Sequence, residues 1–289
     1  MPESLPAADR RRVPLFFLLS LFAWVIWVPQ AARNLGAEIW APGPQSPLNA
    51  LTVWSPGLAA MLLAGRAGGK AAVGALFRQL GVRRLHWRWY AAALLLEPAR
   101  WALALGIDRL LGQSYELGPA VLAKTFSGAA AFMIPVAVVF TLPNALGEEL
   151  GWRAWALPRL QRWRGPLAAS LALGLFWGFW HLPMWIAWTK GTPSAPGLLL
   201  ALVNMVPAAI VYTWLYNRTG GSLLLVCLLH AASANKGYFL PKLPTLTEAA
   251  LFWAVAVAIV AARGLRAPAD VAGSAAAKAQ GPAAGDAGR

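Results

Sequence analysis

A series of long uncharged apolar runs, spread along almost the whole chain, most strongly limits what this sequence can fold into. A helix needs roughly 20 predominantly apolar residues to cross the hydrocarbon core of a bilayer. Six uncharged runs reach or approach that length, at 13–32, 39–65, 125–147, 165–189, 191–217 and 219–235. Two further apolar runs, at 89–111 and 243–262, contain charged residues. The pattern predicts an all-α, polytopic membrane helical bundle of about eight transmembrane helices.

The composition supports a membrane protein and excludes several soluble classes. Hydrophobic residues make up 58% of the 289 residues and charged residues 12%, whereas soluble domains average about 45–50% and about 25%. The mean hydropathy of +0.54 is also high. A soluble chain of this size could not bury so much apolar surface in one core, and the single cysteine excludes a disulfide scaffold.

The net charge of +14 is distributed in short basic clusters between the apolar runs. With eight spans, eighteen lysines and arginines fall on one side of the bilayer and six on the other. The positive-inside rule then places the richer side, together with both termini, in the cytoplasm. We therefore expect the lipid bilayer, and not nucleic acid, to be the partner of these charges, in a multi-pass protein of the inner cell membrane.

The apolar runs and the segments between them suggest five regions. They are a cytoplasmic N-terminal segment (1–12), N-terminal transmembrane helices (13–124), a central core (125–240), a last transmembrane helix (241–264) and a disordered tail (265–289). An interfacial helix is expected near 70–89, where apolar side chains alternate with basic ones. The charges before the first run resemble those of a signal peptide, but the length and tryptophans of the run favour an uncleaved helix.

Ionisable side chains inside the apolar runs are the candidate functional groups, because they are costly in lipid unless they face a partner or a water-filled cavity. Glu148 and Glu149 lie at the end of the fourth span, and Arg153 follows them. On a helix, Glu149 and Arg153 have the i, i+4 spacing of a salt bridge, whereas Glu148 is rotated by about 100° and stays free. A free carboxylate in a low-dielectric cavity suits a general base for water, although an acid pair can also simply stabilise a helix end.

Two of the three histidines also lie inside predicted spans, His181 in the fifth and His230 in the seventh. Aromatic residues that include Trp177 surround His181, and Ser233 shares a helix face with His230 at i+3. Each histidine alone could simply bond a neighbouring helix. Together with Glu148 they could converge at one buried point and supply a base with two hydrogen-bond donors or metal ligands.

Three motifs in this order resemble the CPBP family, which comprises the CAAX proteases and bacteriocin-processing enzymes, also called type II CAAX prenyl endopeptidases or the Abi family. The motifs are Glu-Glu-x-x-x-Arg from Glu148 to Arg153, aromatic-x-x-x-His from Trp177 to His181, and His230 followed by Asn235. The resemblance covers about residues 125–238 and identifies the central core as a CPBP-like catalytic core. It implies an intramembrane endopeptidase acting on a membrane-associated or prenylated-type protein substrate.

The resemblance also implies a role for each of these residues. In the family, the first glutamate activates water, the first histidine helps to hold it, and the last histidine with its asparagine stabilises the oxyanion. In this sequence those roles fall to Glu148, His181 and His230, with Glu149 and Arg153 as the supporting pair.

Two positions depart from the family pattern. Trp177 stands where the family usually has phenylalanine, which is a mild aromatic exchange. The final motif usually reads His-x-x-x-Asn, but Ala234 occupies that place and Asn235 comes one residue later. On a regular helix, i+4 lies 40° from His230 and i+5 lies 140° away. Asn235 can therefore join His230 only through a π-bulge, and otherwise Ser233 or nothing fills the role.

The cofactor requirement has two alternatives. We favour a metal-free reaction with no cofactor, in which both histidines stabilise developing charge. A zinc ion held by Glu148, His181 and His230 would instead form an open three-ligand site of the kind that catalytic zinc uses. The zinc version would leave Glu149, already paired with Arg153, as the remaining base.

Two other function classes are also compatible with the sequence. A non-catalytic membrane scaffold or bacteriocin-immunity factor could bind peptide in the same cavity without cleaving it, and Ala234 at the asparagine position favours this alternative. A transporter could use Glu97 and Arg100 in the third span as a charged site. These two residues can pair with each other at i, i+3, however, and then need no substrate.

Overall fold

The computed structural model describes residues 7–43, 46–81, 85–113, 128–189, 191–239 and 245–266. Within these residues the protein is all-helical and contains no strand. The helices are α1 (Ala7–Ser20), α2 (Trp24–Asn34), α3 (Asn49–Arg78), α4 (Trp87–Leu110), α5 (Gly128–Glu149), α6 (Leu157–Trp188), α7 (Ala195–Arg218), α8 (Leu223–Phe239) and α9 (Thr245–Ala261). A 3-10 turn, Leu21–Ala23, joins α1 to α2, and a π-helical segment, Leu150–Ala156, joins α5 to α6. The expected disordered tail lies outside the described residues from residue 267 onward.

The predicted all-α membrane bundle is confirmed. Four stretches among the described residues are long and apolar enough to cross a membrane, namely Asp9–Asn34, Trp87–Leu110, Thr141–Trp188 and Ala195–Arg218. Leu223–Ala234 and Leu246–Ala261 are shorter apolar helices. Each of the eight predicted spans falls on one or two helices. The number of crossings and the cytoplasmic side of the termini stay predictions.

The second predicted span begins earlier in the sequence than its helix does. The run at 39–65 is uncharged throughout, but α3 starts only at Asn49. Residues 37–43 are not helical, in a stretch that contains Pro42 and Pro47. Proline has a fixed φ and no backbone N–H, so it is disfavoured in a helix interior. Hydropathy alone therefore overestimated the length of this helix.

Two glycine bends separate basic segments from apolar helix. In α3, Gly69 has a φ of 59°, and the chain continues as helix from residue 70 to residue 78. The expected interfacial helix near 70–89 is therefore helical only at 70–78 and at 87–89, which begin α4, while residues 79–81 and 85–86 are not helical and residues 82–84 lie outside the described residues. In α6, Gly165 has a φ of 77° and ends the basic part of the helix. Glycine adopts these positive φ values at little steric cost.

Close backbone contacts at two other glycines fix the helices that carry the candidate site. A Cβ atom on Gly151 would lie 2.5 Å from the backbone of Pro56 in α3. A Cβ atom on Gly178 would lie 2.7 Å from the carbonyl oxygen of Leu202 in α7. Because no larger residue fits at these distances, the π-helical segment is held against α3, and α6 is held against α7.

Candidate active site

Two adjacent glutamates lie in the last turn of α5, directly before the π-helical segment. The side chains of Glu148 and Glu149 are buried, with 5% and 0% of their surface exposed. π-helical turns are rare in proteins and occur frequently at functional sites. Hydropathy and spacing do not predict this segment; the nearest sequence signals are Gly147, three residues before it, and Gly151 within it.

The Glu149 carboxylate contacts an arginine of its own segment and a histidine of another helix. Arg153 Nη1 lies 3.0 Å from Glu149 Oε2 and donates a hydrogen bond to Oε1 at 3.1 Å, so the predicted ion pair is present. His230 Nδ1 lies 2.8 Å from the same Oε1. Helical spacing could not predict this second contact, because His230 is 81 residues further along the chain. Glu149 therefore orients the His230 imidazole as well as neutralising the arginine.

The Arg153 guanidinium is enclosed by aromatic rings. Its central carbon lies 4.5 Å from the Trp177 ring centroid and 4.6 Å from the Tyr212 ring centroid. Only 1% of the side chain is exposed. Cation–π attraction is stronger for desolvated cations than for exposed ones. The arginine is thus held by one carboxylate and two rings, which fixes the position of Glu149 in turn.

The two oxygens of Glu148 have different surroundings. Oε2 accepts a hydrogen bond from Trp177 Nε1 at 2.8 Å and a longer one from Trp152 Nε1 at 3.4 Å. Oε1 lies 3.9 Å from His230 Nε2. The indole N–H groups therefore hold one oxygen and direct the other towards the imidazole. Trp177 is more than an aromatic exchange here, because a phenylalanine has no N–H to donate.

The His181 ring is fixed by its own helix and by an aromatic neighbour. Its Nδ1 lies 2.8 Å from the carbonyl oxygen of Trp177, one turn earlier in α6. If Nδ1 donates this hydrogen bond, Nε2 is the ring nitrogen left for a ligand. The ring also stacks on Trp185, with centroids 5.4 Å apart and planes at 10°. Both Glu148 and His230 are close enough to act on His181 electrostatically.

A cavity of about 300 Å³ lies beside these groups. Its lining residues come from α4, α6, α7, α8 and α9, and they are Arg100, Trp177, His181, Asn204, Met205, Ala208, Tyr212, His230, Ser233, Ala234, Glu248, Ala249 and Phe252. The structure therefore brings both candidate imidazoles to one cavity. The Trp177 ring contacts both of them, with centroids 5.9 Å from His181 and 5.7 Å from His230. Glu148 does not line the cavity and contacts it through Trp177 and His230.

The part of α8 after His230 contains the candidates for a further oxyanion donor. Ser233 and Ala234 both line the cavity, and Ser233 lies close to the hydroxyl of Tyr212, which lines it as well. The backbone is α-helical from Leu223 to Phe239, without the π-bulge that Asn235 requires. The side chain of Asn235 lies outside the described residues.

Two residues that contact the site, Trp152 and Tyr212, were not predicted from the sequence. Trp152 donates to Glu148, and Tyr212 packs its ring 5.9 Å from the His230 ring as well as over Arg153. Buried tryptophan and tyrosine usually find a hydrogen-bond partner. With sixteen tryptophans in the chain, however, the sequence offers no signal that distinguishes these two aromatic residues from the others.

The zinc alternative depends on the donor atoms of Glu148, His181 and His230. In the described part of the chain, no group of three histidine, cysteine, aspartate or glutamate side chains is placed to hold a metal ion. Indole N–H groups hold Oε2 of Glu148, and the Nδ1 atoms of His181 and His230 contact protein oxygens, which leaves Glu148 Oε1 and both Nε2 atoms as the donors that a zinc ion would use. Metal-ligating histidines usually bond a carboxylate or a carbonyl oxygen through their other ring nitrogen, so these contacts do not argue against zinc. The three side chains fit zinc in kind but are not grouped to hold it among the described residues, so the choice between the metal-free and the zinc reaction stays a prediction and no reaction step is derived through a metal.

Comparison with known proteins agrees with the motifs. Residues 129–234 match the family model described as "Type II CAAX prenyl endopeptidase Rce1-like". The chain is also 26% identical over 161 residues to a protein of Methanococcus maripaludis named "CAAX prenyl protease 2". That alignment covers 53% of this chain and 57% of the relative, so the chain spans little more than half of the relative's length. The family match includes Glu148, His181 and His230.

Proposed function

We propose that this chain is an intramembrane endopeptidase that uses Glu148 as the general base. Its residues 129–234 match the Rce1-like type II CAAX prenyl endopeptidases, which are part of the CPBP family. The observation that carries the proposal is the convergence of α5, α6 and α8, which places two imidazoles at one cavity and a buried carboxylate oxygen 3.9 Å from one of them. A scaffold or immunity role, suggested by Ala234, is not favoured by the family match.

The proposed first step is the activation of water by Glu148. Oε2 is held by the indole N–H of Trp177, which leaves Oε1, 3.9 Å from His230 Nε2, to take a proton from a water molecule that enters from the cavity and lies beside the imidazoles. The resulting hydroxide attacks the carbonyl carbon of the scissile peptide bond, and a tetrahedral oxyanion forms. His181, through Nε2, positions the water. The proton on Glu148 then passes to the leaving nitrogen as the C–N bond breaks.

His230 and Glu149 are proposed to stabilise the oxyanion together. With Nδ1 bonded to the Glu149 carboxylate, His230 can donate from Nε2 only when the ring carries both protons. A carboxylate partner stabilises this imidazolium, as the acid does in a catalytic triad. Glu149 and Arg153 are therefore positioning residues, since they act through His230 and touch no substrate atom.

The proposal is tested by substituting Glu148 with glutamine. Glu148→Gln keeps the size of the side chain but removes the base, so we expect peptide cleavage by the purified, membrane-reconstituted protein to fall by about 10²–10⁴-fold. Cleavage is measured by mass spectrometry on synthetic membrane-protein tails, with and without a prenyl group. Glu38→Gln, at an exposed acid in a loop, is the matched control. Retained cleavage in Glu148→Gln would refute the assignment of the base.

The cofactor, substrate and location complete the proposal. We infer a reaction without metal, in which cleavage persists after chelator treatment; loss of cleavage that zinc restores would reverse this inference. The relative's name concerns prenylated proteins, and for this chain we propose a membrane-associated or prenylated-type peptide as the substrate. The protein is multi-pass, and we propose the inner cell membrane as its location, with the cavity open to the cytoplasm.

A further inference from the structure

Arg100 is a buried cation that lines the candidate active-site cavity without belonging to any of the three motifs. It lies in α4, within a stretch apolar enough to cross a membrane, and only 5% of it is exposed. Its ion-pair partner Glu97 is 1% exposed and is not among the residues that line the cavity. The pair is therefore oriented with its arginine at the cavity wall and its glutamate behind it.

The hydrogen bonds of Arg100 leave part of the guanidinium available. Nη2 and Nε donate to the two oxygens of Glu97 at 2.6 and 3.4 Å, and Nη1 donates to the carbonyl oxygen of Glu248 at 2.9 Å. A guanidinium carries five N–H groups, so two remain after these bonds to described residues. Phe252 covers one face of the group, with its ring centroid 4.5 Å from the central carbon. All five N–H groups lie in the guanidinium plane, so a ring over its face does not cover the two remaining donors.

We propose that Arg100 binds a carboxylate of the substrate peptide in the cavity that contains His181 and His230. The inference rests on the proposed function and adds a substrate subsite to it. Arginine is the residue best suited to carboxylates, because its planar donors match the two oxygens. The neighbouring lining residues Met205 and Ala249 are apolar, and charge-assisted hydrogen bonds are stronger in such surroundings.

The size of the cavity limits where this carboxylate can lie along the substrate. A volume of about 300 Å³ corresponds to a sphere roughly 8 Å across, and an extended chain advances about 3.3–3.6 Å per residue. We therefore place the bound carboxylate within a few residues of the reacting carbonyl. The carboxylate can be the C-terminus of a short tail or the side chain of an acidic residue at that distance.

Glu248 is expected to affect the binding of acidic peptides in the opposite direction to Arg100. Glu248 lines the same cavity, and its backbone carbonyl accepts the hydrogen bond from Arg100 Nη1. A carboxylate at this residue is expected to repel a substrate carboxylate, because like charges in a low-dielectric site repel each other over several ångströms. Neutralising Glu248 should therefore strengthen the binding of acidic peptides, whereas neutralising Arg100 should weaken it.

Binding is measured with the cleavage-deficient Glu148→Gln protein, so that the result is independent of catalysis. The probes are three capped tripeptides, N-acetyl-Leu-Leu-Ala as the free acid, the same peptide as the carboxamide, and N-acetyl-Asp-Leu-Ala as the carboxamide. We expect the free acid to bind about tenfold or more tightly than its carboxamide, as for a charge-assisted hydrogen bond. If the aspartate peptide binds as tightly as the free acid, an acidic side chain can supply the carboxylate as well as a C-terminus can.

Three variants in the Glu148→Gln background decide the role of Arg100. Glu97→Gln combined with Arg100→Gln removes both charges and leaves no unpaired buried acid, and it should abolish the preference for the free acid. Glu248→Gln should enlarge the preference, and Arg88→Gln, at an exposed arginine of the same helix, should leave it unchanged. Equal or absent binding of the first two probes, or a preserved preference in the double variant, overturns the proposal. Failure of the proposed function is seen separately, as absence of cleavage by the protein with Glu148 intact.

Discussion

Two buried glutamate–arginine pairs contribute to this protein in different ways. In the pair Glu149–Arg153, the acid contacts His230, and the arginine is enclosed by aromatic rings and does not itself line the cavity. In the pair Glu97–Arg100, the arginine lines the cavity, and the acid is behind it. In each pair the two charged residues are three or four positions apart along the chain. The chemical role of such a pair therefore depends on which partner faces the site, the carboxylate in the first pair and the guanidinium in the second.

The largest expected effect comes from breaking the first pair. Arg153→Gln leaves the fully buried Glu149 without its guanidinium, and removing one partner of a buried ion pair costs about 3–5 kcal/mol. We expect a correspondingly large drop in the free energy of unfolding, measured by denaturant titration in detergent micelles. Wild-type stability in this variant would contradict the view that the arginine compensates Glu149.

A double substitution separates stability from function in the same pair. Glu149→Gln combined with Arg153→Gln removes both charges, so most of the stability should return. Cleavage should stay low, because His230 has lost the carboxylate that orients it, and such supporting partners are typically worth about 10–100-fold. The double variant Glu97→Gln with Arg100→Gln is the matched comparison, since it leaves His230 and its partner intact.

A smaller effect is expected at Trp177, which links the first pair to the proposed base. Trp177→Phe keeps an aromatic ring over Arg153 but removes the N–H that holds Glu148 at 2.8 Å. Loss of a hydrogen bond to a charged group should lower kcat by about tenfold or more. KM should hardly change, and steady-state kinetics on a cleaved peptide measure both.

Trp180→Phe is the matched control for this substitution. Trp180 is also buried, and its Nε1 donates to the Ser20 carbonyl oxygen at 2.8 Å, away from Glu148. It should lose stability without losing kcat. If both variants lowered kcat equally, the contact between Trp177 and Glu148 would have no specific role.

The parts of the fold and the site that sequence predicts are those fixed by local spacing. Apolar runs located the spans, and the i, i+4 spacing predicted the contact between Glu149 and Arg153. The contact of Glu149 with His230 and the cavity position of Arg100 depend on how distant helices pack. No local pattern encodes these contacts. The π-helical segment at Leu150–Ala156 and the proline-containing loop before Asn49 were missed for the related reason that hydropathy does not report backbone geometry.

The smallest effect is expected at Ala234, on the His230 side of the cavity. Ala234 lines the cavity one turn after His230, at the position where the family pattern has asparagine. Because α8 is a regular α-helix here, Ala234→Asn places an amide on the same helix face as the imidazole. An additional donor near the oxyanion should raise kcat by up to about tenfold, which is less than a fully preorganised donor contributes. Ala234→Leu, of similar size but without a donor, should not raise kcat. An equal response to both substitutions would show that the amide is not used and that Ser233 or the His230 imidazole alone serves the oxyanion.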